Sequence, residues 1–231
     1  MDVDFDLSEP EKAFRDEVRA WLKANAPTDD GGADMDGYIN NRRAWQRKLY
    51  GAGYVGMTWP KEYGGRGRSF MYQLIFNDEM ILAHAPEPIN VIGLGMGGPV
   101  VIAHGSDEQK RRYLAPLLSA EEIWCQGFSE PNAGSDLSGL QTRAEDKGDH
   151  YLVNGQKVWT TLAHVAKWCM LLARERKNWY FQPSPSETCD AGPAMSIAVS
   201  VIRWLSSDHI SLRIDPSGPG IPLRLTAVTA R

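Results

Sequence analysis

The spacing of apolar residues divides the chain into two halves. In the first half, apolar residues recur every three or four positions, which is the period of an amphipathic helix. Phe14, Val18, Trp21 and Leu22 form one such face. From Ile123 onward the period falls to two, which is typical of strands. This change predicts an α+β fold, in which an all-α N-terminal domain precedes a β domain.

Capping residues and prolines set the expected ends of the helices. Ser8 with Glu11, and Ser106 with Gln109, have the spacing of capping boxes, and Pro27 stops the first helix. The remaining predictions are helices over about Asn40–Tyr50, Ser69–His84 and Asp107–Tyr113, a kink or an end at Pro116, and a loop over Thr28–Gly37.

A glycine pattern in the helical half raises a second possibility. Gly93, Gly95 and Gly98 have the G-x-G-x-x-G spacing of a dinucleotide-binding loop, which would suggest an NAD(P)-dependent oxidoreductase. However, any preceding strand would be very short, Pro99 stands where the helix should start, and no βαβ unit follows. We therefore predict a tightly packed helix of small residues. Nicotinamide binding would support the other interpretation.

The second half reads as short strands joined by tight turns. Asn154-Gly155 is a two-residue hairpin signal. Such a pattern predicts an antiparallel, barrel-like β domain. The predicted strands are Ile123–Phe128, Leu140–Ala144, Tyr151–Val153, Gln156–Thr161 and Trp168–Ala173.

The loop at 129–136, SEPNAGSD, is rich in turn formers and hydroxyl groups. Pro131 fixes its own φ, and Gly134 lets the backbone come close to another molecule. Ser129 and Ser135 add hydroxyl donors. A loop of this composition is either an ordinary surface turn or a loop that faces phosphate or carbonyl oxygens of a ligand.

Composition and charge exclude several classes of protein. A net charge of -4 without a basic stripe argues against nucleic-acid binding, and no apolar window is long enough for a membrane span. The N-terminus, MDVDFDLSEPE, is not a signal peptide. Cys125, Cys169 and Cys189 form no CxxC pair, and the histidines lack metal-ligand spacing, so we expect a cytoplasmic protein without a metal site.

Two motifs carry a resemblance to a known family. FSEPNAGSDLSGLQTRA, followed by GDHYLVNGQKVWTT, resembles the middle β-domain of the acyl-CoA dehydrogenases, and the likeness extends from about Phe5 to Arg174. It implies a helical domain at 1–122 and the start of a flavin-binding middle domain at 123–174. The tail, 175–231, has no match, and we predict that it is poorly ordered and arose by frameshift or truncation, although Ala194–Leu205 could form a strand or a short helix.

The resemblance implies an FAD-dependent enzyme that desaturates the α,β-bond of an acyl-CoA thioester. Gln126, Phe128 and Ser129 would line the flavin ring and ribityl chain, and Trp159 would lie against the isoalloxazine with Thr161 near N5. Gly134 and Ser135 would meet the pyrophosphate or the pantetheine end of the thioester, which also makes Ser135 a substrate contact.

The resemblance also implies partners and a missing element. In the family, the catalytic base is a glutamate of a C-terminal helical bundle, and no residue of this sequence matches it, so no catalytic residue is assigned. We expect a homo- or hetero-oligomer that passes electrons to an acceptor such as an electron-transfer flavoprotein, and a chain that is inactive by itself. The alternative is a non-catalytic accessory subunit of a mixed acyl-CoA dehydrogenase complex.

Overall fold

The computed structural model describes residues 7–28, 34–146, 151–175, 197–203, 211–212 and 225–226. The chain divides into two compact units, 1–121 and 122–231. The helical unit precedes the sheet unit, and this order confirms the predicted α+β class.

The helical unit contains α1 (Glu9–Asn25), α2 (Met35–Gly51), α3 (Phe70–Leu82), α4 (Gly98–His104) and α5 (Asp107–Leu118), with a 3-10 turn at Lys61–Tyr63 and a π-helical turn at Gly93–Gly97. Both predicted capping boxes form. The Glu11 carboxylate accepts from the Ser8 N–H at 2.8 Å, and the Ser106 hydroxyl accepts from the Gln109 N–H at 3.2 Å. Each box satisfies amide groups that the first turn leaves without helical partners.

Two helix ends differ from the prediction. α2 begins at Met35, inside the expected loop, because the Asp34 carboxylate accepts from the Gly37 N–H at 2.7 Å and caps the helix. α5 runs past Tyr113 and contains Pro116, ending at Leu118.

Aromatic rings and one polar network hold the helical unit together. Tyr54 stacks on Phe76 with 5.3 Å between ring centroids and meets Trp21 edge-on at 5.0 Å. The buried Gln46 amide donates to the Leu118 carbonyl at 2.9 Å, near the end of α5. This bond satisfies a carbonyl that the helix end leaves open.

The glycine pattern serves helix packing. Gly93 begins the π-helical turn, and Gly98 continues directly into α4, so no strand leads into this segment. A Cβ on Gly98 would collide with the indole of Trp59, whereas a Cβ on Gly95 would meet open space. These contacts confirm the prediction of a packed helix of small residues.

The sheet unit is built around one long strand. Its strands are β1 (Trp124–Gly127), β2 (Arg143–Asp146), β3 (Tyr151–Asn154), β4 (Trp168–Glu175) and β5 (Ile197–Arg203), and the short strands β6 (Ser211–Leu212) and β7 (Leu225–Thr226) pair with each other. β1 and β2 pair with β4 in parallel, whereas β5 pairs with β4 and β3 pairs with β2 in antiparallel fashion. The sheet is therefore open and mixed, which corrects the expectation of an antiparallel barrel.

Gln156–Thr161 is not a strand, and Asn154-Gly155 does not close a hairpin. Trp159 has a φ of 58°, in the left-handed region, so the segment cannot remain extended. The backbone of this segment is bonded to the loop after β1, through the Val158 N–H and the Ser129 carbonyl at 2.9 Å. The segment does not form a ladder of hydrogen bonds with a neighbouring strand.

The second strand also begins later than predicted. Leu140–Ala144 was the expected strand, but β2 starts at Arg143. The N–H groups of Gln141 and Thr142 instead donate to the carboxylate of Glu130, at 2.5 and 2.8 Å. The N–H groups of these two residues are thus occupied by a side chain, although the Thr142 carbonyl still accepts from the Arg174 N–H of β4 at 2.8 Å.

Within the predicted tail, β5 lies where Ala194–Leu205 was expected to form a strand or a helix. It pairs with β4 over seven residues. Apart from β5, β6 and β7, the residues from 176 onward lie outside the described part of the chain.

Candidate functional site

The loop that follows β1 is closed by its own backbone. The Glu130 N–H donates to the Ala133 carbonyl at 2.8 Å, and the Ala133 N–H donates back to the Glu130 carbonyl at 3.1 Å. Pro131 and Asn132 lie at the tip between these bonds. The turn formers of the motif therefore make a tight reversal, which brings the chain back toward the sheet.

A buried ion pair lies at the base of this loop. Glu130 accepts from the Lys157 Nζ at 2.8 Å, and the side chains are 5% and 1% exposed respectively. The same Nζ donates to the Phe128 carbonyl at 2.9 Å. Together with the amides of Gln141 and Thr142, these bonds join the loop after β1, the start of β2 and the segment at 157 into one network.

The charge state of Glu130 follows from these contacts. Burial by itself raises the pKa of a carboxyl group, but the bonds from Lys157, Thr142 and Gln141 outweigh burial and lower the pKa of Glu130 to about 2. Glu130 is therefore ionised at neutral pH. A buried pair of this kind is tolerated because both charges have hydrogen-bonding partners.

The structure brings part of the predicted site together. Gln126 lies in β1, and its amide oxygen is buried without a hydrogen-bond partner among the described residues. Phe128 packs against the buried cluster that includes Leu140 and Leu172. Ser129 is bonded through its carbonyl to Val158, which directly precedes Trp159. The two predicted flavin-contacting segments are thus neighbours.

Trp159 has two unusual properties. Its side chain is 89% exposed, although indole is a large apolar group, and its φ is positive. The Trp159 carbonyl accepts from the Thr161 N–H at 3.1 Å, which holds the turn. Strained backbone of this kind costs about 1 to 3 kcal/mol and clusters at functional sites. An exposed indole on such a turn is a candidate contact for a planar ligand.

The other predicted contacts are less closely connected. Gly134 and Ser135 are exposed, and a Cβ on Gly134 would meet nothing within 4 Å. No hydrogen bond among the described residues links Ser135 to Gln126 or Trp159. Asp136 accepts from the Ser138 N–H at 2.9 Å and thus caps its own loop.

Sequence reasoning missed Lys157 and assigned Glu130 only to the loop motif. A lysine between Gln156 and Val158 resembles an exposed residue of a strand. The two motifs contain several charged residues, and nothing in their spacing pairs Glu130 with Lys157. Glu130 and Lys157 form a pair only when the fold brings the two motifs together.

The described part of the chain gives little support for a thiol nucleophile, a metal site or a membrane span. Cys125 and Cys169 are paired in register across β1 and β4, buried and free. The hydrogen bond with Cys125 and burial both raise the pKa of Cys169, so it is no thiolate nucleophile. Within the described ranges, no cluster of side chains could hold a metal ion, and no helix is sufficiently long and apolar to cross a membrane.

Comparison with known families agrees with both units. Residues 8–121 match the family described as acyl-CoA dehydrogenase, N-terminal domain, and residues 125–185 match acyl-CoA dehydrogenase, middle domain. The chain belongs to the acyl-CoA dehydrogenase family of oxidoreductases, whose members bind FAD. The match continues past Arg174, where the sequence alone placed its end.

Individual relatives give the extent of the likeness. The chain is 42% identical over 172 residues to acyl-CoA dehydrogenase IpdE1 of Mycobacterium tuberculosis, which covers 71% of this chain and 45% of that protein. The chain therefore spans less than half the length of that relative.

Two solved assemblies are also similar. The ChsE4-ChsE5 complex from Mycobacterium tuberculosis has a TM-score of 0.66 at 34% identity, covering 75% of this chain and 44% of the other. The Tcur3481-Tcur3483 steroid ACAD has a TM-score of 0.70 at 27% identity, covering 99% of this chain and 56% of the other.

Proposed function

We propose that this chain supplies the flavin-facing loops of an FAD-dependent acyl-CoA dehydrogenase, which desaturates the α,β-bond of an acyl-CoA thioester. The observation that carries the proposal is the junction of the two motifs. Ser129 is bonded to Val158, and Phe128 to Lys157, so the hydroxyl-bearing loop and the exposed Trp159 belong to one surface.

The residues on this surface fit a flavin. The buried, unpartnered oxygen of Gln126 needs a donor, and the exposed indole of Trp159 offers a planar face. Gln126, Phe128 and Ser129 would line the ring and ribityl chain, with Thr161 beside N5. The space around Gly134 leaves room for a pyrophosphate or pantetheine chain near Ser135.

In the proposed reaction, this chain binds and orients. FAD, when bound, supplies the acceptor for the hydride that leaves the β-carbon of the thioester. The N–H groups of Phe128 and Ser129 would donate toward the pyrimidine-side oxygens, where negative charge increases on reduction. Trp159 would cover one face of the ring and exclude water from it.

The base that removes the α-proton is not assigned to this chain. Glu130 is unsuited to the role, because its carboxylate is buried and already bonded to Lys157 and to two backbone amides. A general base must reach the proton that it removes. We therefore propose that this 231-residue chain, by itself, binds flavin weakly and does not desaturate acyl-CoA.

A second candidate function is that of an accessory subunit in a mixed complex. Two similar structures are named for two components each, the ChsE4-ChsE5 complex and Tcur3481-Tcur3483. We propose that this chain likewise acts in a cytoplasmic homo- or hetero-oligomer, with an electron-transfer flavoprotein as acceptor. A co-purifying chain that restores turnover would favour a shared site.

The first test is a visible spectrum of the purified chain during titration with FAD. Saturable binding should give a structured, shifted flavin band, and Trp159→Ala should abolish it. Phe70→Ala, which removes a 73% exposed aromatic residue from the helical unit, is the control and should leave binding unchanged. A chain that takes up no FAD at saturating concentration, or that binds nicotinamide instead, would refute the flavin role.

A further inference from the structure

We infer that Lys157 is a positioning residue, which fixes the peptide group between Phe128 and Ser129 and so sets the direction of the Ser129 N–H. The inference rests on the proposed flavin contact of Ser129. Nothing in the sequence motifs singles out this lysine, because its effect depends on a contact between the two motifs.

The direction of the Ser129 N–H follows from peptide geometry. No cis peptide bond occurs in the described residues, and the C=O and N–H of a trans peptide point in opposite directions. The carbonyl of Phe128 points at the Lys157 Nζ, 2.9 Å away. The N–H of Ser129 belongs to the same peptide group and therefore points away from Lys157.

The next peptide group is held as well. The Ser129 carbonyl accepts from the Val158 N–H at 2.9 Å, and the Glu130 N–H donates to Ala133 at 2.8 Å. Both peptide groups that flank Ser129 thus have bonded partners. Rotation of Ser129 would break at least one of these bonds.

Lys157 is held in place by the Glu130 carboxylate, which is itself held by backbone amides. Its Nζ lies 2.8 Å from the Glu130 carboxylate, which accepts from the amides of Gln141 and Thr142 just before β2. The position of the loop is thereby tied to the sheet. Because both charged side chains are buried, water cannot replace either partner.

A similar pair elsewhere in the sheet unit lacks this role and provides a control. Lys167 is bonded to Glu122, which precedes β1, whereas the flavin-facing loop follows β1. The Lys167 side chain is 43% exposed. Removing Lys167 also breaks a lysine–glutamate pair but leaves the Phe128 carbonyl bonded to Lys157.

The test compares Lys157→Met, Lys167→Met and the double variant Glu130→Gln with Lys157→Met in the whole chain. Hydrogen–deuterium exchange without FAD reports the loop, thermal unfolding reports stability, and fluorescence titration reports FAD affinity. Lys157→Met should speed exchange of the Gln141, Thr142 and Val158 amides, and weaken FAD binding, by about tenfold or more.

The double variant separates positioning from charge balance. It removes both buried charges, so its unfolding temperature should recover toward that of the wild type, while the Phe128 carbonyl stays without its donor and FAD affinity stays low. Recovery of both stability and affinity would overturn the inference. The same would follow if Lys167→Met weakened FAD binding as much as Lys157→Met.

The outcomes for the inference and for the proposed function can be distinguished. If the wild-type chain binds no FAD, the flavin role fails, and the exchange data still decide whether Lys157 orders the loop. If the wild type binds FAD and Lys157→Met changes neither exchange nor affinity, the flavin role stands and the positioning role fails. The double variant keeps the test usable if the single variant does not fold.

Discussion

The bonds that set the helix ends of the helical unit and those that fix the loop and first strand of the sheet unit span different distances along the chain. In the helical unit, the capping pairs Ser8–Glu11 and Ser106–Gln109 join residues three positions apart. In the sheet unit, Glu130 and Lys157 are 27 residues apart, and Glu122 and Trp168 are 46 apart. Local sequence thus sets the helix ends of the first unit, although its core also uses a distant bond from Gln46 to Leu118, whereas the loop after β1 forms its ion pair only when distant segments meet.

The ion pairs of the two units also differ in their exposure to solvent. Glu79 in the helical unit is buried, but its partner Arg19 is 55% exposed and can stay hydrated. Glu130 and Lys157 are both buried. A change of one charge should therefore be tolerated better in the helical unit, and the following experiments test this difference.

The largest expected effect comes from Lys157→Met. Loss of one partner leaves Glu130 as an uncompensated buried charge, which should destabilise the sheet unit by about 3 to 5 kcal/mol. Lys12→Met is the control, because the Lys12–Glu9 pair is exposed and should contribute less than about 1 kcal/mol. Urea unfolding followed by circular dichroism measures both. Equal losses of unfolding free energy in the two variants would show that the buried pair of the sheet unit contributes no more than the exposed pair of the helical unit.

Acid should remove the same interaction by protonation. The pKa of Glu130 is lowered to about 2 in the folded chain, so the folded state binds fewer protons than the unfolded state as pH falls below about 4.5. The stability from Glu130 is present above that range and is lost as pH approaches 2. Glu11 also has a lowered pKa, through its bonds with Ser8, but it is exposed and should contribute little.

The pH dependence is measured by thermal unfolding at decreasing pH, with Glu130→Gln as the comparison. The variant should be less stable at neutral pH and should lose less stability on acidification. A variant with the same pH dependence as the wild type would show that other carboxyl groups dominate acid unfolding.

Packing is the sensitive point of the helical unit. Gly98→Ala places a methyl group against the Trp59 indole and should cost about 1 to 3 kcal/mol. Gly95→Ala is the matched control, since its methyl group meets open space and alanine favours helix. Thermal unfolding should separate the two. Equal sensitivity of both glycines would show that the contact between Gly98 and Trp59 does not limit the packing here.

The smallest expected effect on stability is at Trp159. Trp159→Gly relieves the positive φ and removes little buried surface, so the sheet unit should gain about 0.5 to 1 kcal/mol while flavin binding is lost. Trp159→Ala removes the same indole without relieving the backbone, so the difference between the variants isolates the strain. A loss of stability in Trp159→Gly relative to Trp159→Ala would show that the turn is unstrained.

The helices were predictable because their signals are local. Serine caps and apolar periodicity located α1, α3 and the start of α5. The start of α2 was missed, since Asp34 lies in an acidic, glycine-bearing stretch that reads as a loop. The start of α2 is set by one hydrogen bond, from the Gly37 N–H to the Asp34 carboxylate.

The sheet was predicted less well for the same reason. Gln156–Thr161 alternates as a strand would, yet Lys157 is drawn to Glu130 and Trp159 turns the backbone. The hydrophobic period and the turn residues of a segment carry no information about an ion-pair partner that lies 27 residues away in the sequence. The candidate flavin contacts came from the resemblance, and their roles remain predictions.

The parallel pairing of β1 with β4 has a consequence during synthesis. At about 5 to 20 residues per second, the ribosome needs roughly 2 to 9 seconds to add the 46 residues between Glu122 and Trp168. Throughout that time, β1 has no β4 to pair with, and for the 27 residues that separate Glu130 from Lys157 the Glu130 carboxylate has no lysine partner. A nascent chain in this state presents an open strand edge to chaperones or to neighbouring chains. A translational pause between residues 130 and 157 would lengthen this exposure.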